Sequence, residues 1–307
     1  MVMEAHIQID VDLPRVQAGS NPQHLVLGLF TDYWFEAEGH LPSAVLVELL
    51  TEFDNTPASA RSAIARLARR NVLESTREGR RTFYRLAPTA DRVLERIQRR
   101  VVEFGTEDRA WDGSWTTVMF SVPDDQRDLR YVVKTRLRWL GYAPLYDGVW
   151  VSPHADHDQT VELFESVDVG NATVLRSKVT YAVNRGDPLT AWDVAAIHAS
   201  YEEFIAEFEP LLDRVEHGLV GTAEALVART NVKDAWRELV SMDPELPASL
   251  LPPGWPGRRA QRVFARIYDG LGPLAEARVR QILAKHAPAL VAKASHRTTT
   301  STPPSKT

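Results

Sequence analysis

Residues Pro57–Pro88 have the sequence PASARSAIARLARRNVLESTREGRRTFYRLAP, and this stretch determines the architecture of the N-terminal part of the chain. Pro57 suits the first position of a helix, and Thr56 suits the capping position before it. Apolar residues recur every three or four positions, which predicts a helix with one inward stripe made of Ala60, Ile64 and Leu67. The residues from Val72 onward alternate as in a strand and turn at 78–80, so a hairpin is predicted to follow the helix.

Two further helices are predicted upstream of this segment. The stretch from His24, HLVLGLFTDYWFEA, is almost wholly apolar and suits a buried first helix. Leu41-Pro42 interrupts the chain, and Ser43 is expected to cap a second helix, SAVLVELLTEF. Three helices followed by a basic hairpin is the order of a winged helix-turn-helix, a DNA-binding motif.

The charge of the chain is unevenly distributed. The net charge is −5, but the segment from Thr56 to Arg100 contains twelve arginines and four acidic residues, a net charge of +8 that leaves −13 for the rest of the chain. A basic block on an acidic body indicates a localised anion-binding face. The alternative is an ordinary solvated helix surface, although such surfaces mix the two signs more evenly.

The composition argues against several other classes. The 307 residues include no cysteine, which excludes disulfides and thiolate metal sites and fits a reducing compartment. No run of about 18 apolar residues predicts a membrane-spanning helix. The N-terminus carries acidic residues instead of the basic start of a secretory signal, so we expect a cytoplasmic protein.

The rest of the chain suggests two more domains. From Trp111 the predicted elements follow the order β-α-β-β-α-β, which is that of a ferredoxin-like domain. After Pro188 the pattern is helical apart from a proline-rich break at 243–257. We therefore predict an α+β protein with the following parts: a flexible arm at 1–22, a winged helix-turn-helix at 23–88, a connector helix at 89–110, a ferredoxin-like domain at 111–184, a helical effector or dimerisation domain at 188–294, and a disordered tail at 295–307.

Two stretches outside the DNA-binding motif resemble the PaaX-type repressors of phenylacetate catabolism. They are WDGSWTTVMFSVPDD…RLRWLGYAPLYDGVWVSP at 111–153 and AWRELVSMDPELPASLLPPGWPGRRA at 235–260. The resemblance covers roughly residues 22–290. It implies a Cas2-like central domain and a dimeric repressor that binds a palindromic operator in double-stranded DNA. It also implies release of the operator when a CoA thioester, typically phenylacetyl-CoA, binds.

Other interpretations of the architecture stay open. A regulator of this type could answer a different small molecule or could activate transcription. A Cas2-like domain also admits a metal-dependent nuclease, which would need a carboxylate at the end of the first strand, where Ser121 stands. His154 and His157 lie in SPHADHDQT at a spacing that resembles a metal site, but we expect them to cap the surface. We therefore expect no enzyme, no cofactor and no metal.

The DNA-binding residues follow from the geometry of the motif. The third helix of a winged helix lies in the major groove, and polar residues near its N-terminus reach base edges while others meet phosphates. The predicted DNA-binding residues are Ser59, Arg61, Ser62, Arg66, Arg69 and Arg70 on this helix and Arg77, Arg80 and Arg81 on the hairpin. Arg85 is expected to pair locally, and Arg92 and Arg96 can pair with Asp91 or Glu95 along the connector helix.

An effector site is predicted in the C-terminal half. A CoA thioester needs cations for its phosphates and an apolar slot for its acyl part, and arginines near tryptophans supply both. The candidates are Trp192, Tyr201, Arg229, Trp236 and Arg237. The alternative is that the aromatic members belong to the core.

Overall fold

The computed structural model describes residues 21–35, 39–107, 110–154, 158–167, 169–183 and 186–300. It contains helices and two antiparallel sheets, which confirms the predicted α+β class. Most of the predicted flexible arm lies outside the described residues, but Asn21 and Pro22 belong to the first helix. The Asn21 side chain accepts a hydrogen bond from the Gln23 backbone N–H at 3.1 Å and so caps it.

The N-terminal elements occur in the predicted order. They are α1 (Pro22–Tyr33), β1 (Leu41–Pro42), α2 (Ser43–Thr51), α3 (Pro57–Arg69), β2 (Leu73–Glu78), β3 (Arg81–Leu86) and α4 (Pro88–Glu103). Every residue of α1 from His24 to Tyr33 is buried, as its apolar sequence predicts. Thr56 caps α3, because its hydroxyl oxygen accepts from the Ser59 N–H at 3.2 Å. The prediction that Ser43 caps α2 was wrong: Pro42 holds the capping position without a side-chain bond.

The two-residue strand β1 explains this difference. Leu41 and Pro42 are extended and pair with Tyr84 and Phe83 of β3, giving a three-stranded sheet in the order β1-β3-β2. Pro42 has no N–H to donate, which is tolerated because β1 lies at the edge of the sheet. The chain therefore enters α2 directly from the sheet.

The central elements follow the predicted ferredoxin-like sequence. They are β4 (Trp115–Ser121), α5 (Arg127–Trp139), β5 (Ala143–Tyr146), β6 (Val149–Ser152), α6 (Asp158–Glu165) and β7 (Asn171–Ser177). The sheet order is β5-β6-β4-β7, so the first and third strands of the domain are central. The core beside the sheet includes Val118, Trp150, Val133 and Leu137, each at most 1% exposed.

The predicted turn at Asp147-Gly148 lies between β5 and β6. Gly148 has φ of +74°, and a Cβ atom there would lie 2.9 Å from the Phe120 carbonyl oxygen. Only glycine fits this close approach without a shift of the backbone.

The C-terminal region is helical, with α7 (Val194–Glu216), α8 (Thr222–Met242) and α9 (Gly257–His286). None of the helices in the described ranges is both long enough and apolar enough to cross a membrane. The compact units divide the chain differently from the predicted succession of domains. One unit combines the described residues up to Phe104 with Glu203–Glu238 and the residues from Arg259 onward, and the other combines Gly105–Glu202 with Leu239–Arg258.

The connector helix α4 is part of the first unit's core. Val101 and Phe104 are buried, and the Trp236 indole N–H donates to the Val101 carbonyl at 2.9 Å. Gln98, also buried, donates to the Tyr268 hydroxyl at 3.3 Å. The helix thus packs along its length against residues of the C-terminal region instead of serving only as a link.

The predicted disordered tail needs a correction for residues 295–300. Arg297 is 1% exposed, and its guanidinium donates two bonds to Glu95 of α4, at 3.0 and 2.7 Å. The same group stacks over the Phe35 ring, 4.2 Å from its centroid. Glu95 therefore pairs with Arg297 and not with Arg92 or Arg96 as we expected. The polar composition of the tail gave no indication that Arg297 is buried as the partner of Glu95. Residues 301–307 lie outside the described range.

We expect the Arg297→Ala variant to lose about 3 kcal/mol of unfolding free energy, because it leaves Glu95 without its buried partner. Urea unfolding of the full chain measures the loss. Arg262→Ala is the matched control, because Arg262 is exposed on α9; it should change stability by less than about 0.5 kcal/mol. Equal effects of the two substitutions would contradict a structural role for the tail.

Candidate nucleic-acid interface

Helix α3 presents one buried and one exposed face. Ala60, Ile64 and Leu67 are buried, as their spacing predicts, and Ala63, which was not part of the predicted stripe, is buried with them. The opposite face is exposed and consists of three arginines and three small residues: Ala58, Arg61, Ser62, Ala65, Arg66 and Arg69. These positions recur every three or four residues and so form one continuous stripe along the helix. Small side chains in the middle of the stripe let another surface approach the helix axis closely.

The hairpin places a second set of arginines beside this helix. Strands β2 and β3 pair from Leu73↔Leu86 to Glu78↔Arg81, and β2 packs against α3. The turn at Gly79 has φ of +59°, which favours glycine. Arg77, Arg80 and Arg81 are all exposed at this tip. The Arg77 Nε–H donates to the Gly79 carbonyl at 3.3 Å.

Most of the exposed arginines on α3 and the hairpin lack a carboxylate partner within the part of the chain that the structure describes. Within the described residues, no carboxylate lies within ion-pair distance of six of them: Arg61, Arg66, Arg69, Arg77, Arg80 and Arg81. Arg85, by contrast, binds Glu74 across the hairpin at 2.6 Å, which confirms the expected local pair. Among the other predicted DNA-binding residues, Ser62 is exposed, whereas Ser59 and Arg70 are partly buried.

This arrangement suits a polyanion. Guanidinium groups with no internal partner can make bidentate bonds to phosphates or to guanine edges without first breaking an ion pair. A helix about 10–12 Å wide fits the major groove of B-form DNA.

Helix α1 of the same unit carries a buried carboxylate, Asp32. Asp32 is 1% exposed, and its Oδ2 accepts from the Lys233 ammonium at 2.5 Å. Its Oδ1 accepts from the Tyr268 hydroxyl at 2.9 Å. Burial lowers the pKa of Lys233, although the Asp32 carboxylate opposes that shift. Asp32 therefore joins α1 to α8 and α9, which lie about two hundred residues further along the chain.

Arg229 extends the same cluster. It is fully buried, donates from Nε to the Tyr268 carbonyl at 2.9 Å and from Nη1 to the Tyr33 hydroxyl at 3.1 Å. A third bond goes to the Arg297 carbonyl. Its guanidinium also lies over the Tyr268 ring, 3.7 Å from the centroid. Burial raises the pKa of Tyr33 to about 12, so this phenol stays neutral and acts as an acceptor.

A second polar group lies at the start of α1. His24 Nε2 is 2.9 Å from Asp234 Oδ1, and Arg237 donates to His24 Nδ1 at 3.2 Å. Because an arginine side chain cannot accept a hydrogen bond, His24 Nδ1 must be the acceptor. The hydrogen-bond pattern therefore assigns the proton of a neutral His24 ring to Nε2, which donates to Asp234. Burial would raise the pKa of Asp234, but the bond with His24 and the nearby charges lower it below its ordinary value.

Helix α2, which precedes α3 in the chain, is tied to α9 by ion pairs. Glu48 accepts from Lys285 at 2.7 Å and faces His286 Nε2 at 2.5 Å. Glu52 accepts two bonds from Arg278, at 3.1 and 2.7 Å. Hydrogen bonds from Lys285 and His286 lower the pKa of Glu48 below its ordinary value. Helices α1 and α2, which both contact α3, are thus bonded to the C-terminal helices α8 and α9.

The structure does not bring the five predicted effector residues together in one unit. Arg229, Trp236 and Arg237 belong to the first unit, where Trp236 is fully buried and stacks on Phe264. Trp192 and Tyr201 belong to the second unit. There Trp192 stacks on Trp115 with ring centroids 5.9 Å apart, and the Tyr201 hydroxyl donates to Asp243 at 2.6 Å. Their assignment to an effector stays a prediction.

The histidine cluster at 154–158 is only partly described. His154 Nε2 lies 3.0 Å from the Pro244 carbonyl oxygen, within the second unit. Asp156 and His157 lie outside the described residues. In the part of the chain that the structure describes, no three histidine or acidic side chains are grouped so that they could hold a metal ion.

Along the chain, a Cas2-like ferredoxin domain follows a basic helix-and-hairpin segment and precedes a helical region, which defines an α+β protein with the parts of a DNA-binding regulator. Comparison with known families assigns it further. Three family models match the chain: PaaX-like protein at residues 21–90, PaaX protein central Cas2-like domain at 108–188, and PaaX-like protein C-terminal domain at 192–281. The chain belongs to the PaaX family of transcriptional repressors.

Individual relatives agree with this assignment. The transcriptional repressor PaaX of Escherichia coli (strain K12) is 27% identical over 265 residues, which cover 84% of this chain and 82% of that protein. Among solved structures, the uncharacterized protein Rv0674 from Mycobacterium tuberculosis has a TM-score of 0.55 at 19% identity. The match covers 84% of this chain and 98% of that chain, and shows a common fold.

The ion pairs of Glu48 predict a pH dependence. The folded-state pKa of Glu48 lies below its ordinary value of 4.5, so the carboxylate stabilises the fold at neutral pH and that contribution is lost as pH falls through the folded-state pKa. We expect the Glu48→Gln variant to be less stable than the unmodified chain at pH 7, and the difference to shrink as the pH falls from about 5 to about 3. Thermal unfolding across that range measures it. A constant difference at every pH would contradict the ion pair.

Proposed function

We propose that this protein represses transcription by inserting α3 into the major groove of a palindromic operator while the β2–β3 hairpin contacts the adjacent backbone. The observation that carries the proposal is the face of six exposed arginines without carboxylate partners among the described residues. It lies on a segment of charge +8 in a chain of charge −5. Membership of a repressor family supports the same conclusion.

The exposed face suggests different roles for its residues. Arg61 and Ser62 lie in the first turns of α3, where side chains of a recognition helix reach base edges. Arg66 lies at the border of this region, and Arg69 and Arg70 lie further along and would meet phosphates. The hairpin arginines contribute affinity without sequence information, because phosphates are the same at every base pair.

A palindromic operator requires two copies of this face. Two chains related by a two-fold axis would present two α3 helices to successive major grooves about one helical turn apart. We propose that the protein binds as such a homodimer. Release by a CoA thioester such as phenylacetyl-CoA would then follow if the ligand binds the DNA-free arrangement more tightly, since a ligand shifts an equilibrium only by its differential affinity.

The double variant Arg61→Ala/Arg66→Ala tests the proposed recognition helix. We expect it to lose about 1–3 kcal/mol of operator affinity for each base interaction removed, and to discriminate less between operator and unrelated DNA. Fluorescence anisotropy with the DNA upstream of the protein's own gene measures both quantities. The control is Arg127→Ala/Arg262→Ala, which removes the same charge from exposed positions elsewhere. Similar losses in both variants would mean that α3 does not read the operator.

The hairpin is tested by salt dependence. Arg80→Ala/Arg81→Ala should weaken binding to operator and unrelated DNA alike. It should also reduce the slope of log K against log[salt] by about 0.9 for each phosphate that the protein no longer neutralises. An unchanged slope together with unchanged affinity would show that the hairpin does not touch DNA.

The effector is tested separately. Phenylacetyl-CoA added to the operator complex should raise the apparent Kd for DNA, while coenzyme A alone should not. If only a different acyl thioester or an unrelated small molecule releases the operator, the regulator answers another ligand. If no ligand changes the affinity, release by a thioester is wrong while DNA binding stands.

A further inference from the structure

The second compact unit contains a cavity whose lining includes no residue of α3 or the hairpin. Its volume is about 650 Å³, within the range of about 300–1,000 Å³ that is usual for small-molecule sites. All of its lining residues lie in one unit, on the chain leading into α7, the first turns of α7 and the proline-rich loop: Leu189, Val194, Ala195, His198, Ser249, Leu250, Leu251 and Pro252.

The lining limits the chemistry of an occupant. Six of the eight residues are aliphatic or proline, and the two polar members are His198 and Ser249. The lining includes no arginine, lysine or carboxylate, so it offers neither a counter-ion for a phosphate nor one for an ammonium group. An uncharged apolar group of ring or branched-chain size suits these walls, with a carbonyl or similar acceptor placed near the imidazole or hydroxyl.

One wall of the cavity is held rigidly. Trp255 packs edge-on against both His198 and Tyr201, with ring centroids 5.6 and 5.8 Å apart. A Cβ atom at Gly257 would lie 2.8 Å from the Trp255 indole nitrogen, so glycine is needed for this packing. Tyr201, buried and bonded to Asp243, supports the tryptophan from behind. Trp255 therefore joins the proline-rich loop to α7 next to His198, which lines the cavity.

We propose that this cavity binds the apolar acyl group of the effector, with the charged remainder of the ligand outside it. The inference rests on the proposed function insofar as it takes the effector to be an acyl thioester. It assigns the acyl group to residues other than the five predicted from the sequence. Within the cavity, His198 is the side chain placed to donate to the thioester carbonyl.

Two adjacent alanines on α7 provide the test. Ala195 lines the cavity and Ala196 does not, and both are exposed, so a larger side chain at either position should leave the fold intact. Isothermal titration of the full chain with phenylacetyl-CoA, without DNA, should show binding weakened by about tenfold or more in Ala195→Phe, a loss of about 1.4 kcal/mol. Ala196→Phe should bind within about twofold of the unmodified chain.

A second variant probes the shape of the site. Leu250→Ala enlarges the cavity and should shift the preference among acyl-CoA thioesters toward bulkier acyl groups, which a merely destabilised protein would not show. Three results would overturn the proposal: equal affinity of Ala195→Phe and Ala196→Phe, no binding of phenylacetyl-CoA to the unmodified chain, or binding of coenzyme A alone as tight as that of the thioester. The titration contains no DNA, so it does not depend on whether α3 binds an operator. Failure of operator binding would appear only in the anisotropy experiment.

Discussion

The arrangement of the first unit depends on one buried carboxylate. Asp32 lies in a helix that is buried from His24 to Tyr33, and an isolated charge there would cost several kcal/mol. The ammonium of Lys233 and the hydroxyl of Tyr268 satisfy both of its oxygens. Because those partners lie on α8 and α9, α1 cannot be buried in this way without the C-terminal helices. A segment that resembles a self-contained DNA-binding motif is thus completed by residues from the other end of the chain.

Because α1 depends on partners in the C-terminal helices, a function cannot be assigned to each sequence segment separately. The residues predicted to bind an effector included Arg229, whose bonds go to Tyr33, Tyr268 and the Arg297 carbonyl. Its role in the structure is to join α1, α8, α9 and the C-terminal tail in the interior of the first unit. The same guanidinium chemistry serves the exposed arginines of α3 and the hairpin, but there the described residues supply no carboxylate. Burial and internal partners separate the structural arginines from those that are available to DNA.

The sequence predicted those features that depend on local periodicity. The α3 stripe, its Thr56 cap, the hairpin turn and the order of the ferredoxin-like elements all arise from residues close together in the chain. It did not predict β1, since two extended residues before a helix carry no pattern, nor the burial of Arg297 in a polar tail. One signal was available: Asp32 interrupts an apolar helix, which indicates a buried partner. The identity of that partner depends on packing across two hundred residues, which periodicity does not supply.

The acidic remainder of the chain has a consequence for recognition. Charges separated by more than about 8–10 Å in physiological salt are largely screened, so a net charge of −5 does not prevent a local face from attracting DNA. The negative surface elsewhere disfavours contact between DNA and the other sides of the molecule. If the protein binds DNA as proposed, approach would therefore be guided toward the face where the described residues supply no carboxylate partner for the arginines.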